Sequence, residues 1–77
     1  MLEPTLTGRA AEDRAWLLHR LGGRLREPVR DGEEWMVEVL RANGKHLWYY
    51  GTTLEGVHGR IRKDVERTLA ARRPAAP

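Results

Sequence analysis

The sequence predicts a small α+β fold, a two-layer sandwich in the order α-β-β-β-α, with both helices on one face of a three-stranded antiparallel sheet. Two observations lead to this prediction. Asn43-Gly44 separates two alternating apolar runs, which is the strongest short-range signal for a β-hairpin. Thr52, followed three residues later by Glu55, has the spacing of a capping box, so a helix should follow the hairpin directly.

The first predicted helix covers about 9–21. Thr7 is a suitable N-cap residue, and Gly22-Gly23 should end the helix because glycine adopts the left-handed C-cap conformation without a steric penalty. The pattern is amphipathic on one side. Its apolar stripe consists of Ala10, Leu17 and Leu21, flanked by Ala11, Trp16 and Leu18.

Three strands are predicted next. Residues 24–30 should form a short edge strand or an extended arm, because Pro28 cannot donate to a strand ladder. Asp31-Gly32 is a turn, and 34–42 is the strand that enters the hairpin. A two-residue Asn43-Gly44 turn places Val39 opposite Trp48 and Val37 opposite Tyr50, and opposed residues share a face.

This register divides the sheet into two faces. The helix-covered face should carry Trp35, Val37, Val39, Trp48 and Tyr50. The other face should carry Met36, Glu38, Leu40, Leu47 and Tyr49, which is unusually apolar for a face left to water. The chain has no phenylalanine, so its tryptophans and tyrosines are expected to supply the aromatic bulk of the core.

The last predicted helix covers about 53–71. Gly56 and Gly59 each cost about 1 kcal/mol relative to alanine inside a helix, so they suggest either close packing against a neighbouring element, which we favour, or a frayed first turn. The apolar stripe recurs at three- and four-residue steps, as expected for a helix lying on a sheet. It consists of Leu54, Val57, Ile61, Val65 and Leu69.

Length and composition narrow the class of protein. A chain of 77 residues is sufficient for one domain, expected at 8–71, with a flexible arm at 1–7 and a disordered tail at 72–77. The chain has no cysteine, no recognisable signal peptide and no apolar run near the roughly 20 residues that span a bilayer, so a cytoplasmic protein is expected. Serine is absent as well, so the two commonest nucleophiles are missing and no enzyme, cofactor or metal is predicted.

Residues 53–66 read Thr-Leu-Glu-Gly-Val-His-Gly-Arg-Ile-Arg-Lys-Asp-Val-Glu and resemble the helix of HicB-like antitoxin domains. In that family a strand ends in a Gly-x-Thr-Leu-Glu-Glu-Ala pattern, and Trp35-Met36-Val37-Glu38-Val39 is similar to its opening strand. The likeness covers about 34–70 and lacks the family's Pro-Gly-Cys-like element. The element order is also similar to double-stranded-RNA-binding domains and HicA-type toxins, whose Lys-Lys-x-Ala-Lys and Gly-Ser-His elements are absent. The resemblance implies a small regulatory module that binds a protein or an RNA, without an active site.

The leading candidate site is the predicted exposed sheet face. Contiguous apolar patches on small proteins tend to mark interfaces, and two-fold dimers are the commonest oligomers. We therefore expect a protein partner, with a homodimer as the simplest form, for an antitoxin-like or inhibitor-like protein. The interface residues predicted are Val29, Met36, Leu40, Leu47 and Tyr49.

The alternative is a nucleic-acid-binding module on the last helix. The formal net charge is +3, and all of the excess lies within 52–77. Cations at helical spacing can follow a row of phosphates. The candidate residues are Arg60, Arg62, Lys63, Arg67 and Arg73. Pairing of Arg60 with Asp64 and of Arg62 with Glu66 would consume much of this charge.

The remaining polar and aromatic residues are interpreted as structural. His19, His46 and His58 lie on different elements without the spacing of a metal site, so they are expected at the surface or its boundary. Trp48 and Tyr50 are interpreted as core residues, which would leave Tyr49 as the free aromatic side chain.

Overall fold

The predicted element order is confirmed in the computed structural model, which describes residues 6–72. Helix α1 spans Gly8–Leu21 and is followed by a 3-10 turn at Gly22–Arg24; helix α2 spans Leu54–Arg72. Strands β1 (Val29–Asp31), β2 (Glu34–Leu40) and β3 (His46–Gly51) form one antiparallel sheet in the order β1-β2-β3. Residues 1–5 and 73–77, to which most of the predicted arm and tail belong, lie outside the described residues.

The helix ends follow from a few local residues. Gly22 ends α1 with a φ of 57°, and its N–H donates to the Leu18 carbonyl. Thr53, rather than the predicted Thr52, caps α2: its Oγ1 accepts a hydrogen bond from the Gly56 N–H at 2.9 Å. This shift follows from the first helical residue being Leu54, because a cap side chain bonds the amide three positions on. Thr7 precedes α1 but makes no side-chain capping bond.

The predicted hairpin register is wrong by one residue. The loop has three residues rather than two: the Arg41 N–H donates to the Lys45 carbonyl at 2.8 Å, and the Gly44 N–H donates to the Arg41 carbonyl at 2.9 Å. Gly44 has a φ of 84°. It is the residue in the left-handed conformation that completes a three-residue hairpin loop. The Asn43 side-chain oxygen accepts a hydrogen bond from the Lys45 N–H at 3.0 Å, and this bond stabilises the loop.

A one-residue shift exchanges the two faces of β3, because strand side chains alternate. Glu38 lies opposite Trp48, and Val37 lies opposite Tyr49. Leu47 and Tyr49 therefore lie on the helix-covered face, whereas Trp48 and Tyr50 lie on the outer face, contrary to the prediction. The face of β2 with Trp35, Val37 and Val39 is the helix-covered one, as predicted.

Both helices lie on this one face of the sheet. Leu17 of α1 and Ile61 of α2 are fully buried in the same cluster as Val37 of β2. Among the aromatic residues, Trp16, Trp35 and Tyr49 pack against the cluster, but Trp48 and Tyr50 do not. The buried core consists of Leu17, Leu25, Val37, Val39, Val57 and Ile61. No helix within residues 6–72 is long and apolar enough to cross a membrane.

The backbone of α2 approaches β3 closely at Gly51, the last residue of the strand. A Cβ added to Gly51 would lie 3.1 Å from the Val57 nitrogen and 3.2 Å from the Val57 Cβ. The predicted close packing at Gly59 is only an ordinary contact, since an added Cβ would lie 3.8 Å from Asp13. At Gly56 the nearest atom is the Thr53 hydroxyl of the helix's own cap, at 3.0 Å.

We predict that Gly51→Ala destabilises the protein by about 1–3 kcal/mol, because the new methyl group would push α2 away from the sheet. Urea denaturation measures this loss. The matched control is Gly23→Ala, since a Cβ at Gly23 meets nothing within 4 Å and needs no positive φ. Equal stability of the two variants would contradict the close approach at Gly51.

Candidate functional site

The outer face of the sheet carries a row of apolar side chains that no helix covers. Val29, Met36 and Tyr50 lie directly opposite one another across the three strands. Val29 is 51% exposed and Tyr50 is 44% exposed. Trp48, two residues before Tyr50 on the same face of β3, is 49% exposed. Large aromatic side chains with this exposure form an apolar surface rather than part of the core.

The structure brings three of the five predicted interface residues together on this outer face: Val29, Met36 and Leu40. Leu47 and Tyr49 are partly buried on the opposite face. Trp48 and Tyr50 were not predicted on this face, because a two-residue Asn43-Gly44 turn was expected and three consecutive aromatic residues in β3 leave the alternation ambiguous. The loop carries no signal that could have found them, since Gly44 is compatible with a three-residue loop as well as a two-residue turn.

The charged group in the middle of the outer face, Glu38, is paired within the chain, whereas Asp31 and Glu34 lie opposite each other at the end of the strands. The Glu38 carboxylate accepts a hydrogen bond from His46 Nδ1, and it lies 4.0 Å from Arg26 Nε. Glu38 sits opposite Trp48, so its charge is compensated next to the exposed indole. A partner that covers this face would therefore meet few unpaired charges in the middle of the strands.

Among residues 6–72, no strand pairs with the outer edge of β3. Because hydrogen-bonded and non-hydrogen-bonded pairs alternate from the Arg41–Lys45 pair, the backbone groups of His46, Trp48 and Tyr50 point away from β2. The Tyr50 carbonyl accepts a weak 3.4 Å hydrogen bond from Arg60. The strand from His46 to Gly51 contains no Lys, Glu or Pro, the residues that commonly block edge pairing.

Tyr49 is not the free aromatic residue that the sequence suggested. Its hydroxyl donates to Asp64 Oδ2 at 2.8 Å and joins β3 to α2. Burial, together with this hydrogen bond and the negative charge of Asp64, raises the pKa of Tyr49 to about 12. The Asp64 carboxylate is engaged by Tyr49 and by Arg67. The predicted ion pair between Arg60 and Asp64 does not form.

The basic residues of α2 divide into internal and outward groups. Arg62 bridges to Asp13 of α1 at 3.1 Å, pairs with Glu66 at 3.4 Å as predicted, and stacks over the Trp16 ring at 4.6 Å. Arg67 pairs with Asp64 at 3.5 Å. Arg60 and Lys63 face an open cleft of about 470 Å³ that Arg9 of α1 also lines. Arg73 lies outside the described residues.

His58 is fully buried, contrary to the expectation of a surface or boundary residue. Its Nδ1 donates to the Leu54 carbonyl at 2.8 Å, so its Nε2 accepts a hydrogen bond from Arg14 at 3.1 Å. Burial lowers the pKa of His58; the bond to Leu54 opposes this, and the positive charge of Arg14 adds to it. His58 falls between Leu54 and Ile61 on the apolar stripe of α2, and this position could have revealed its burial.

The chain matches no family model, no curated protein and no solved structure. The resemblance to HicB-like domains therefore stays a prediction. Within residues 6–72, no group of three or more His, Asp or Glu side chains is placed to hold a metal ion.

We predict that the free energy of unfolding falls as the pH drops below 6.5, the ordinary pKa of histidine. In that range the unfolded chain binds a proton that the folded His58 imidazole does not, so acid favours unfolding. Urea denaturation at about pH 7.5 and about pH 5.5 measures the difference.

The control is His58→Gln, whose amide can accept from Arg14 and donate to Leu54 but does not titrate. This variant should lose less stability over the same interval. An equal loss in both proteins would show that His58 is not the source of the pH dependence.

Proposed function

We propose that this chain is a small non-catalytic interaction protein, of the antitoxin or inhibitor type, that acts by binding another protein and associates with itself through the outer sheet face. The observation that supports it is the row of Val29, Met36 and Tyr50 beside Trp48, on a face that neither helix covers. Aromatic residues and methionine are the types enriched in the centres of protein interfaces. We place this binding in the cytoplasm, in keeping with the absence of cysteine.

The free edge of β3 supports a second copy of the chain as the simplest partner. Antiparallel pairing of two β3 strands about Trp48 satisfies the two-fold symmetry of a homodimer. It would place His46 of one copy opposite Tyr50 of the other and join two sheets into a continuous one of six strands. The hydrogen bond from Arg60 to the Tyr50 carbonyl is long and exposed, so a strand can displace it.

A nucleic-acid-binding module remains the second candidate. Arg9, Arg60 and Lys63 line one open cleft together with the carboxylates of Asp13 and Glu55, so a surplus of one positive charge favours contact with an anion. Two of the five predicted residues argue against a large basic surface, because Arg62 and Arg67 are paired with carboxylates. Steep weakening of binding by salt would distinguish this alternative from an apolar interface.

We predict that the wild-type protein sediments as a dimer and that Trp48→Glu/Tyr50→Glu sediments as a monomer. In the two-fold pairing of β3 strands, position 48 lies opposite its own copy, so the new carboxylates would repel each other across the seam, whereas in the monomer both positions are about half exposed, 49% and 44%. Sedimentation velocity at two salt concentrations measures the association. Circular dichroism checks that the variant keeps its helices.

The matched control is Leu18→Glu, because Leu18 lies on α1 and is 42% exposed. This control should sediment like the wild type. A wild-type protein that stays monomeric at every concentration, or a control that dissociates as the double variant does, would contradict self-association. Binding of a short RNA duplex that is lost at higher salt would favour the nucleic-acid alternative.

A further inference from the structure

A second surface lies between the C-terminal parts of the two helices and the hairpin end of the sheet. It is a groove of about 280 Å³ on the helix-covered side of the sheet, and Leu40 at its hairpin end is a residue it shares with the outer sheet face. Val39 and Ile61 form the floor of the groove, and each is at most 3% exposed. Its apolar walls are Leu21, Tyr49, Val65 and Leu69.

The rim of this groove is strongly basic. Arg20, Arg24, Arg41 and Arg72 line it, and within residues 6–72 none of them pairs with a carboxylate. Asp64 is the acidic residue of the lining, and Tyr49 and Arg67 already engage it. The groove therefore combines an apolar floor with a surplus of positive charge.

Two of the rim arginines are held in place without being neutralised. Arg20 stacks over the Trp16 ring at 3.8 Å. Arg24 donates to the Leu21 carbonyl at 3.3 Å and to the Arg20 carbonyl at 3.4 Å. The stacking on Trp16 orders the Arg20 side chain beforehand, so a ligand that pairs with Arg20 loses less conformational entropy on binding.

We propose that this groove binds an acidic amphipathic helix of a partner protein. Ile61, Val65 and Leu69 recur every four residues, so the apolar wall of α2 extends for roughly 12 Å. A helix with apolar residues on one face and Glu or Asp on its flanks matches that length, and its carboxylates match the rim. Apart from Leu40, this surface is separate from the outer sheet face, and the inference stands whether or not the chain dimerises there.

The number of rim cations favours a peptide over a single fatty-acid headgroup. One carboxylate pairs fully with one guanidinium group, and four guanidinium groups call for several acidic side chains. Residues 73–77, which continue the chain from Arg72 at the rim, contain no acidic side chain, so charge disfavours them as the occupant.

The test uses a fluorescein-labelled peptide of Leu and Glu, about 14 residues or roughly four helical turns, with the apolar residues on one face. Fluorescence anisotropy should show saturable binding to the wild-type protein. Arg41→Glu/Arg72→Glu should weaken this binding about tenfold or more, because two attractive contacts become repulsive. The charge-matched control, Arg9→Glu/Lys63→Glu, alters the other cleft and should change it less than about twofold.

A second pair of variants tests the apolar floor. Leu69 in the groove and Leu18 outside it are both 42% exposed, so neither substitution should unfold the protein. Leu69→Asn should weaken binding several-fold, and Leu18→Asn should not.

The proposal is overturned if the acidic peptide fails to bind at millimolar concentration, if a Leu and Lys peptide binds equally well, or if both charge variants weaken binding equally. Binding of laurate with the same variant sensitivity, without binding of the peptide, would also overturn it.

Discussion

The three-residue loop from Ala42 to Gly44 is the constraint on which the surface of this protein depends. Because strand side chains alternate, the length of that loop decides which half of β3 faces the helices. A loop of three residues places Leu47 and Tyr49 on the helix-covered face. Trp48 and Tyr50 then lie on the outer face. Gly44 makes the loop feasible, since its φ of 84° is costly for residues with a Cβ. The length of this loop thus determines whether Trp48 and Tyr50 lie on the outer face.

A buried polar network fixes the helices over that sheet. Arg14 is 6% exposed and contacts His58 of α2, the Arg26 carbonyl and the Glu27 carboxylate. The preceding residue, Asp13, is 3% exposed and pairs with Arg62 of α2. Such pairs add little net stability compared with apolar residues, but removing one partner leaves an uncompensated buried charge. The network therefore favours one alignment of α1 along α2, with the arginine-rimmed groove at one end.

The element order could be predicted from the sequence because its signals are local. Helix stripes, glycine stops and the Asn43-Gly44 turn each act within a few residues, and they located both helices to within a residue. The hairpin register is also local, but Asn-Gly fits two loop lengths, and the run of Trp48, Tyr49 and Tyr50 is apolar on both faces. Val29, Met36 and Leu40 lie on the predicted outer face because their positions do not depend on that loop, and their role in an interface stays a prediction.

The buried charges and the groove could not be predicted in the same way. Asp13 and Arg14 lie between Ala10 and Leu17 in the apolar stripe of α1. This position does not indicate which residues of α2 contact them. Their partners, Arg62 and His58, lie more than forty residues away in sequence. The groove likewise gathers arginines from α1, the hairpin and α2. Only the packing of these elements brings the cations together.

The central claim, that the hairpin register exposes Trp48 and Tyr50, is tested most directly by cross-strand NMR contacts. Non-hydrogen-bonded antiparallel pairs bring their Hα atoms close together. This register predicts strong Hα–Hα cross-peaks for Glu38 with Trp48 and for Met36 with Tyr50. A cross-peak between the Hα atoms of Val39 and Trp48 would instead indicate a two-residue turn. That result would return both aromatic side chains to the core side and contradict the proposed interface.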